Sequence, residues 1–372
     1  MELRPYQQKA VEWLCEHERG LVVAAAGSGK TIVAAAALAK VVGNEPGHIP
    51  MIGWAANTSE QTAQALAAIE KFNLPGKARV IIHCAAAGKD WSGFDALVVD
   101  EAHHAPSPTW RKQIESCKGV RWGFTATPWG RDRERNEQLK ALFGGNVYVI
   151  EREEVASNLC PARVVWLDAC DDGLPGRIEA ETEKVLSQRL RFRRYQRMPI
   201  QQARGEVAWG VCAELGIAGN AARNNLIIAT ALAHSEQTVV LCNTVAHVKD
   251  LAAKINGVPC YSGMPKRAET IQKFREGKIQ RIVASTMLDE GADLPCIEVL
   301  ILCGAGRAEG RVIQRAGRAL RPHPGKIKAK VYDFLDTSIP LLNNHARARS
   351  RVYIHQNYEQ DFSRSVGTNP WF

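Results

Sequence analysis

Ala24-Ala25-Ala26-Gly27-Ser28-Gly29-Lys30-Thr31 follows the apolar run Leu21-Val22-Val23 and leads into an Ala-rich stretch that ends at Val42. The reading of these eight residues decides the fold. Gly27 and Gly29 leave backbone N–H groups uncrowded, so the loop can surround phosphate oxygens. Lys30 would reach the β- and γ-phosphates, and the Thr31 hydroxyl would ligate magnesium. The helical stretch that follows aims the positive end of its dipole at the same place. Ala24 stands where the strict phosphate-loop pattern has Gly, a departure that spares the two phosphate-contacting glycines. Ala26, Gly27, Ser28, Gly29, Lys30 and Thr31 are the nucleotide-binding candidates, and a strand–loop–helix of this kind opens an α/β domain.

Further on, Ala96-Leu97-Val98-Val99 reads as a buried strand with Asp100 and Glu101 at its carboxyl end, where open parallel sheets bind ligands. Two adjacent acids suit a division of labour. Asp100 can hold hydrated magnesium while Glu101 polarises the attacking water as general base. The bland alternative is a pair of solvated turn carboxylates.

Outward from these motifs, apolar runs at 21–25, 50–54, 79–84, 95–99, 121–125 and 146–150 alternate with helical stretches at 30–42, 58–72 and 109–117. The alternation predicts a parallel sheet with helices on both faces. A strand over 160–170 gives way to the turn Asp171-Asp172-Gly173-Leu174-Pro175-Gly176, and residues 178–234 read as helical and charged. The α/β pattern restarts at Thr238 and continues to about 334, without a second phosphate loop. The predicted organisation is a nucleotide-binding domain over 1–150, a linker strand and helical insert over 151–235, a second α/β domain over 236–340, and a basic tail over 341–372.

A chain of 372 residues, 45% hydrophobic and 23% charged, suits two domains that each bury a core. Its ten cysteines form no Cys-x-x-Cys pair, which argues against a zinc module or redox dithiol and for core thiols in a reducing compartment. The N-terminus does not read as a signal peptide and no apolar segment is long enough to span a membrane, so a cytoplasmic protein is expected, bacterial or in a host if phage-encoded. Net charge of +9 favours a polyanionic partner. The arginines cluster at Arg189–Arg197, around Arg315–Arg321, and at Arg347, Arg349 and Arg351.

These residues together resemble the superfamily 2 helicases and translocases, with motifs in the family's order from about residue 3 to 336. Leu3-Arg4-Pro5-Tyr6-Gln7 is similar to the adenine-reading segment, with Gln7, or in a shifted register Gln8, on the base edge and Arg4 beside it. Residues 24–31 match motif I and Asp100–His103 motif II in its DEAH spelling. Thr125-Ala126-Thr127-Pro128 resembles the coupling motif III. Residues 285–295 resemble motif V, and Gln314-Arg315-Ala316-Gly317-Arg318-Ala319-Leu320-Arg321 resembles motif VI. The narrower likeness is to the UvsW-like and RadD-like DNA repair and phage recombination group. Ala56-Asn57-Thr58-Ser59 departs from the usual wording of motif Ia.

The resemblance implies two RecA-like domains in tandem with a helical insert, one Mg–ATP between them, and movement on nucleic acid, DNA before RNA, by a monomer. It assigns Arg318 and Arg321, three apart and so on one helical face, as arginine fingers, with Gln314 placing the water or the γ-phosphate; a solvated arginine-rich helix is the alternative. Asp293 meets the ribose or holds the motif V loop, and Gly291 permits close backbone approach to phosphate. His103 couples the acid pair to Thr125 and Thr127, while His104 has no assignment. Thr58, Thr244, Ser285 and Thr286 stand where the family places phosphate-contacting hydroxyls, and each is equally a helix-cap or turn residue. Arg191, Arg193 and Arg194, interleaved with Phe192 and Tyr195, suit single-strand binding or a solvated helix face. The expected function is an ATP-dependent DNA helicase or translocase. An ATPase that remodels or anneals nucleic acid without unwinding, and an ATP-switched recruitment subunit for a nuclease, share the same engine.

Overall fold

The computed structural model describes residues 2–25, 27–41, 48–56, 59–84, 88–126, 132–156, 160–169, 171–285, 294–304, 306, 317 and 323–363. The chain divides into two compact units, the first made essentially of residues 1–159 and the second beginning at Cys160.

In the first unit, α1 (Pro5–Cys15), β1 (Arg19–Ala24) and α2 (Lys30–Val41) precede β2 (Met51–Ala56), α3 (Ser59–Lys71) and β3 (Arg79–Cys84). Then come β4 (Ala96–Asp100), α4 (Pro108–Ser116), β5 (Val120–Thr125), α5 (Arg133–Leu142), β6 (Val147–Ile150) and α6 (Arg152–Ala156). The six strands form one parallel sheet in the order β3-β2-β4-β5-β1-β6. Because successive side chains of a strand point to opposite faces, β4 feeds two cores. Ala96 and Val98 pack with α1, α2 and α3, and Leu97 and Val99 pack with Trp91, Trp110 and Phe143 on the other side. The alanines of α2 explain its seat: Ala34, Ala35, Ala36 and Ala37 are all buried.

The second unit contains β7 (Ala162–Leu167), α7 (Leu174–Arg189), the short α8 (Arg193–Gln196), α9 (Ile200–Val211) running into a π-helical turn (Cys212–Ala218), and α10 (Ala221–Leu232). It continues with β8 (Thr238–Cys242), α11 (Val245–Lys254), β9 (Val258–Cys260), α12 (Arg267–Arg275), β10 (Arg281–Ser285) and β11 (Val299–Leu302). β12 (Ala329–Phe334), α13 (Pro340–His355) and β13 (Glu359–Asp361) complete it. A seven-stranded sheet runs β13-β7-β12-β11-β8-β10-β9, and every described pairing is parallel. Two parallel α/β sheets in tandem with a helical segment at 174–232 are the architecture expected.

Two details differ from the sequence reading. The strand expected in a linker is β7, which pairs with β12 over six residues and belongs to the second sheet. Residues 341–372, read as a basic tail, begin with α13, whose Leu342, Ala346, Arg349 and Tyr353 face inward. The cause lies in partners too distant in sequence to read locally: Arg349 gains a buried carboxylate, Asp333, and is not solvated. Among the described residues no helix is long and apolar enough to cross a membrane.

Candidate nucleotide and catalytic site

In the first unit β1 delivers its carboxyl end directly into residues 24–31. Gly27 and Gly29 take φ of +87° and +84°, conformations that L side chains avoid. A Cβ at Gly29 would also lie 2.5 Å from Gln7 Nε2, so this position has neither the dihedral nor the room for another residue. The loop is held from outside by α1. The Tyr6 hydroxyl and Gln7 Nε2 each donate to the Ser28 carbonyl at 3.0 Å. Gln7 Oε1 accepts from the Arg4 backbone N–H at 3.1 Å, and the Arg4 guanidinium donates to the Tyr6 hydroxyl at 3.1 Å. Gln7 faces the loop, whereas Gln8 lies on the exposed side and donates to Glu12. Tyr6, which the sequence reading left unassigned, shares the support of the loop.

Lys30 Nζ donates to the carbonyls of Ala24 and Ala25, at 3.1 and 3.3 Å. Thr31 follows it in the first turn of α2. Ala26 lies outside the described residues.

β4 and β1 flank β5, so the acid pair and the loop emerge at the carboxyl ends of two strands one strand apart in the same parallel sheet. Asp100 closes β4, and Glu101 adopts the left-handed conformation at φ +49°, a position that costs roughly 1–2 kcal/mol for a side-chain-bearing residue. The Asp100 carboxylate accepts the Glu101 backbone N–H at 2.9 Å, which helps hold that turn. Burial, reinforced by the charge of Glu101, pushes Asp100 up to about 6. Burial pushes Glu101 upward too, but His103 and Lys30 outweigh it and the carboxyl settles below its ordinary value. The two neighbours are therefore driven apart, with Glu101 the more readily ionised.

His103 Nδ1 lies 3.1 Å from Thr125 Oγ1 and 3.4 Å from Glu101 Oε2, so one ring nitrogen stands between the acid and the end of β5. Glu101 Oε2 is buried, and His103 is its polar side-chain neighbour among the described residues. His104, without an assignment from sequence, has its ring 4.1 Å from that of His103 and 5.7 Å from that of Trp110. Burial and the neighbouring His103 depress it to about 4, so it is a neutral packing ring near pH 7. Thr127 lies outside the described residues.

In the second unit Thr244 caps α11, its hydroxyl accepting the His247 N–H at 3.3 Å, and Ser285 ends β10 as a buried residue. The segment between α7 and α9, which includes α8, exposes Arg191, Arg193 and Arg194, with Phe192 65% exposed among them. Arg194 pairs with Glu206 at 3.3 Å, and Tyr195 is buried, receiving a hydrogen bond from Arg189 at 2.7 Å. Thr58, Thr286, Gly291, Asp293, Gln314, Arg318 and Arg321 lie outside the described residues.

A glycine loop with a lysine after β1 and two carboxyls at the end of β4, in one parallel sheet, suits magnesium–nucleotide chemistry. Comparison with known proteins agrees at family level. Residues 1–83 and 83–129 match the family described as "Type III restriction enzyme, res subunit", and residues 222–323 match "Helicase conserved C-terminal domain". The chain is 28% identical to a "Putative DNA 3'-5' helicase Rad25" of Haloarcula marismortui, covering 87% of this chain and 51% of that protein. It is 25% identical to a "DNA 3'-5' translocase XPB2" of Sulfurisphaera tokodaii, covering 86% of this chain and 79% of the relative. The chain thus spans about half the length of the first of these relatives. The Hef helicase domain of Pyrococcus furiosus shares the fold, with a TM-score of 0.56 at 14% identity over 95% of this chain and 98% of that one. The relatives named here carry Rad25 and XPB names, and the narrower expectation of a UvsW-like or RadD-like group gives way to the superfamily-level likeness.

Proposed function

From the premise that the chain belongs to superfamily 2 of the helicases and translocases, an ATP-hydrolysing family, we propose that it couples Mg–ATP hydrolysis to movement along DNA. The observation that carries this reading is the juxtaposition in one sheet of the Gly27–Lys30 cradle and the Asp100–Glu101 pair. The residues fit a bound nucleotide. Gly27 and Gly29 present bare backbone, and Lys30, which donates to its own loop's carbonyls, carries the charge a β- or γ-phosphate needs. Thr31 and Asp100 would hold magnesium, which supplies neutralisation of phosphate charge.

Within that arrangement each side chain has a task. Glu101, the more acidic carboxyl of the pair, takes the proton of the attacking water. His103 bridges Glu101 and Thr125, so a shift at the base is felt at the end of β5. Gln7 and Tyr6 fix the Ser28 carbonyl, and Gln7 and Arg4 are the adenine-side candidates. Gln314, Arg318 and Arg321 are the proposed sources of cationic charge and water placement, and Gly291 and Asp293 are proposed nucleotide contacts. Thr58, Thr244, Ser285, Thr286 and Arg191, Arg193 and Arg194 are the proposed nucleic-acid contacts. By analogy with these relatives, DNA is the proposed track and 3'-to-5' the proposed direction.

The test is ATP hydrolysis by the purified chain with and without single-stranded, tailed and forked DNA and the same structures in RNA. A rise of severalfold with DNA, and loss of nearly all activity in Lys30→Ala, are expected. Wild-type rates in Lys30→Ala overturn the phosphate-loop reading. Absence of stimulation by any nucleic acid overturns the motor reading and favours an ATP-switched subunit. Displacement of the strand ahead of a 3' tail separates unwinding from remodelling.

A further inference from the structure

The helical segment of the second unit holds one aromatic ring out in solvent. Phe192 is 65% exposed, and among the described residues no other phenylalanine, tyrosine or tryptophan stands as far out. Tyr195, three positions on, behaves in the opposite way. It is buried with Leu186, Ala203 and Val207, takes a hydrogen bond from Arg189, and so anchors α8 to the segment's own core. The backbone that carries Phe192 is tied down on both sides. Its N–H donates to the Arg189 carbonyl at 3.0 Å, and its carbonyl accepts from the Tyr195 and Gln196 N–H groups at 3.0 and 3.2 Å. The ring is thus presented from a fixed backbone, and a ligand that covered it would gain apolar burial without first ordering the chain beneath. The charge around the ring is one-sided. Between Glu183 and Glu206 the chain carries Lys184 and six arginines and no acid. Lys184 is held by Glu181, Arg204 by Glu179 and Glu183, Arg194 by Glu206, and Arg189 by Tyr195. Arg191, Arg193 and Arg197 remain exposed, and their side chains have no ion pair or hydrogen bond among the described residues.

We infer that Phe192 stacks on an unpaired nucleobase while Arg191 and Arg193 hold the flanking phosphates, so that this segment binds single-stranded nucleic acid by ring and charge together. This rests on the nucleic-acid reading given above and adds to it a contact to bases. An acidic peptide would satisfy the guanidinium groups and leave the ring in water. A duplex offers the same phosphates, but its base faces are stacked on one another, out of the ring's reach. A single strand supplies, at a short repeat, both a phosphate for each guanidinium and a flat face for the phenyl ring. Every base has such a face, so the contact is indifferent to sequence.

The experiment measures binding of the full chain, without nucleotide, to three ligands: a fluorescein-labelled oligothymidylate, an abasic strand of the same length, and a duplex of that length. Phe192→Ala is expected to weaken the base-bearing strand about tenfold, the effect of losing one stacked base, and to leave the abasic strand and the duplex within about twofold of wild type. Phe192→Trp should keep wild-type affinity, whereas Phe192→Leu should not, because leucine retains apolar bulk without a flat π-face. Replacing Arg191 and Arg193 together by Gln should weaken all three ligands and lower the log–log salt slope on the single strand by about 1.4. Leu232→Ala is the control: it removes another exposed apolar side chain of the same unit and should bind like wild type. Equal loss on the base-bearing and abasic strands, or no loss on either, overturns the stacking, as does tighter binding of polyglutamate than of oligothymidylate. Base-dependent loss at Phe192 in a chain whose ATPase no nucleic acid stimulates leaves the contact standing and overturns the motor reading. Stimulated ATPase with strand affinity indifferent to Phe192 does the reverse. A wild type that binds no nucleic acid overturns both.

Discussion

At the carboxyl end of β4 the two carboxyls are loosely held among the described residues: Glu101 Oε2 has His103 at the long distance of 3.4 Å, and Asp100 is pushed up to about 6 by burial and its neighbour. In the second unit Arg349 holds Asp333 at the end of β12 through two parallel bonds, while Arg223 holds Asp336 through one and leaves Asp336 Oδ2 without a hydrogen bond among the described residues. Both sheets are parallel and built alike, so the contrast comes from side chains and not from architecture. A carboxylate satisfied by a guanidinium can fix a backbone but has little left for a ligand. One left short of partners beside a bare loop is poised to accept a cation or a proton.

The sharpest way to break this contrast is Asp333→Ala, which strands the Arg349 charge in the core. The second unit is expected to lose about 3–5 kcal/mol, read as faster hydrogen exchange in β11 and β12, while α2 and β4 keep their protection. A loss below about 1 kcal/mol would mean that this pair is not what holds the helix to the sheet. Glu101→Gln reverses the pattern. Hydrolysis should fall by on the order of a hundredfold with ATP still bound. Failure to bind ATP would give Glu101 a structural role.

Protonation sharpens the comparison further. His247 is buried, 2.9 Å from Asn224 Oδ1, and burial together with the Arg223 charge lowers it to about 4 from an ordinary 6.5. Its folded value lies below the unfolded one, so the unfolded chain takes up the proton first as pH falls. The stability this residue contributes is present above about 6.5 and is lost between there and 4. Between pH 7 and 5 the loss should be about 2 kcal/mol, seen as exchange in α11, and His247→Gln should flatten it. A pH-independent α11 would show that His247 stays accessible to protons in the fold. The smallest effect concerns the exposed arginines. Replacing Arg191, Arg193 and Arg194 together by Gln should reduce the salt dependence of DNA binding by about two in log–log slope and leave basal ATPase intact. An unchanged slope removes the α7–α9 segment from the nucleic-acid path.

Legibility in the sequence followed contact distance. The phosphate loop and the acid pair were readable because their chemistry is local: Gly27, Gly29 and Lys30 are neighbours, and Asp100 and Glu101 end a run of four apolar residues. The support of that loop by Tyr6 spans 22 residues and left no periodic mark. Gln7 was legible only through its motif. The fate of Arg349 was harder still, since an arginine reads as solvated until Asp333 is placed against it. A trace existed nonetheless: Leu342, Ala346, Arg349 and Tyr353 repeat every three or four residues, the spacing of a buried helical face. β7 was recognised as a strand, but which sheet it joins depends on pairing with β12, which no local pattern encodes.

That pairing sets an order of assembly. Ala162 of β7 lies against Ala329 of β12, 167 positions later in the chain (329 − 162), and the other neighbour of β7 is β13, later still. On a ribosome moving at about 5–20 residues per second, β7 waits roughly 10–30 seconds for its first partner, while the strands of the first sheet, all within residues 19–150, have already emerged. Through that interval its apolar run Val164-Val165-Trp166-Leu167 is an unpaired edge, the kind of segment that slow non-local pairing leaves open to chaperones or to aggregation.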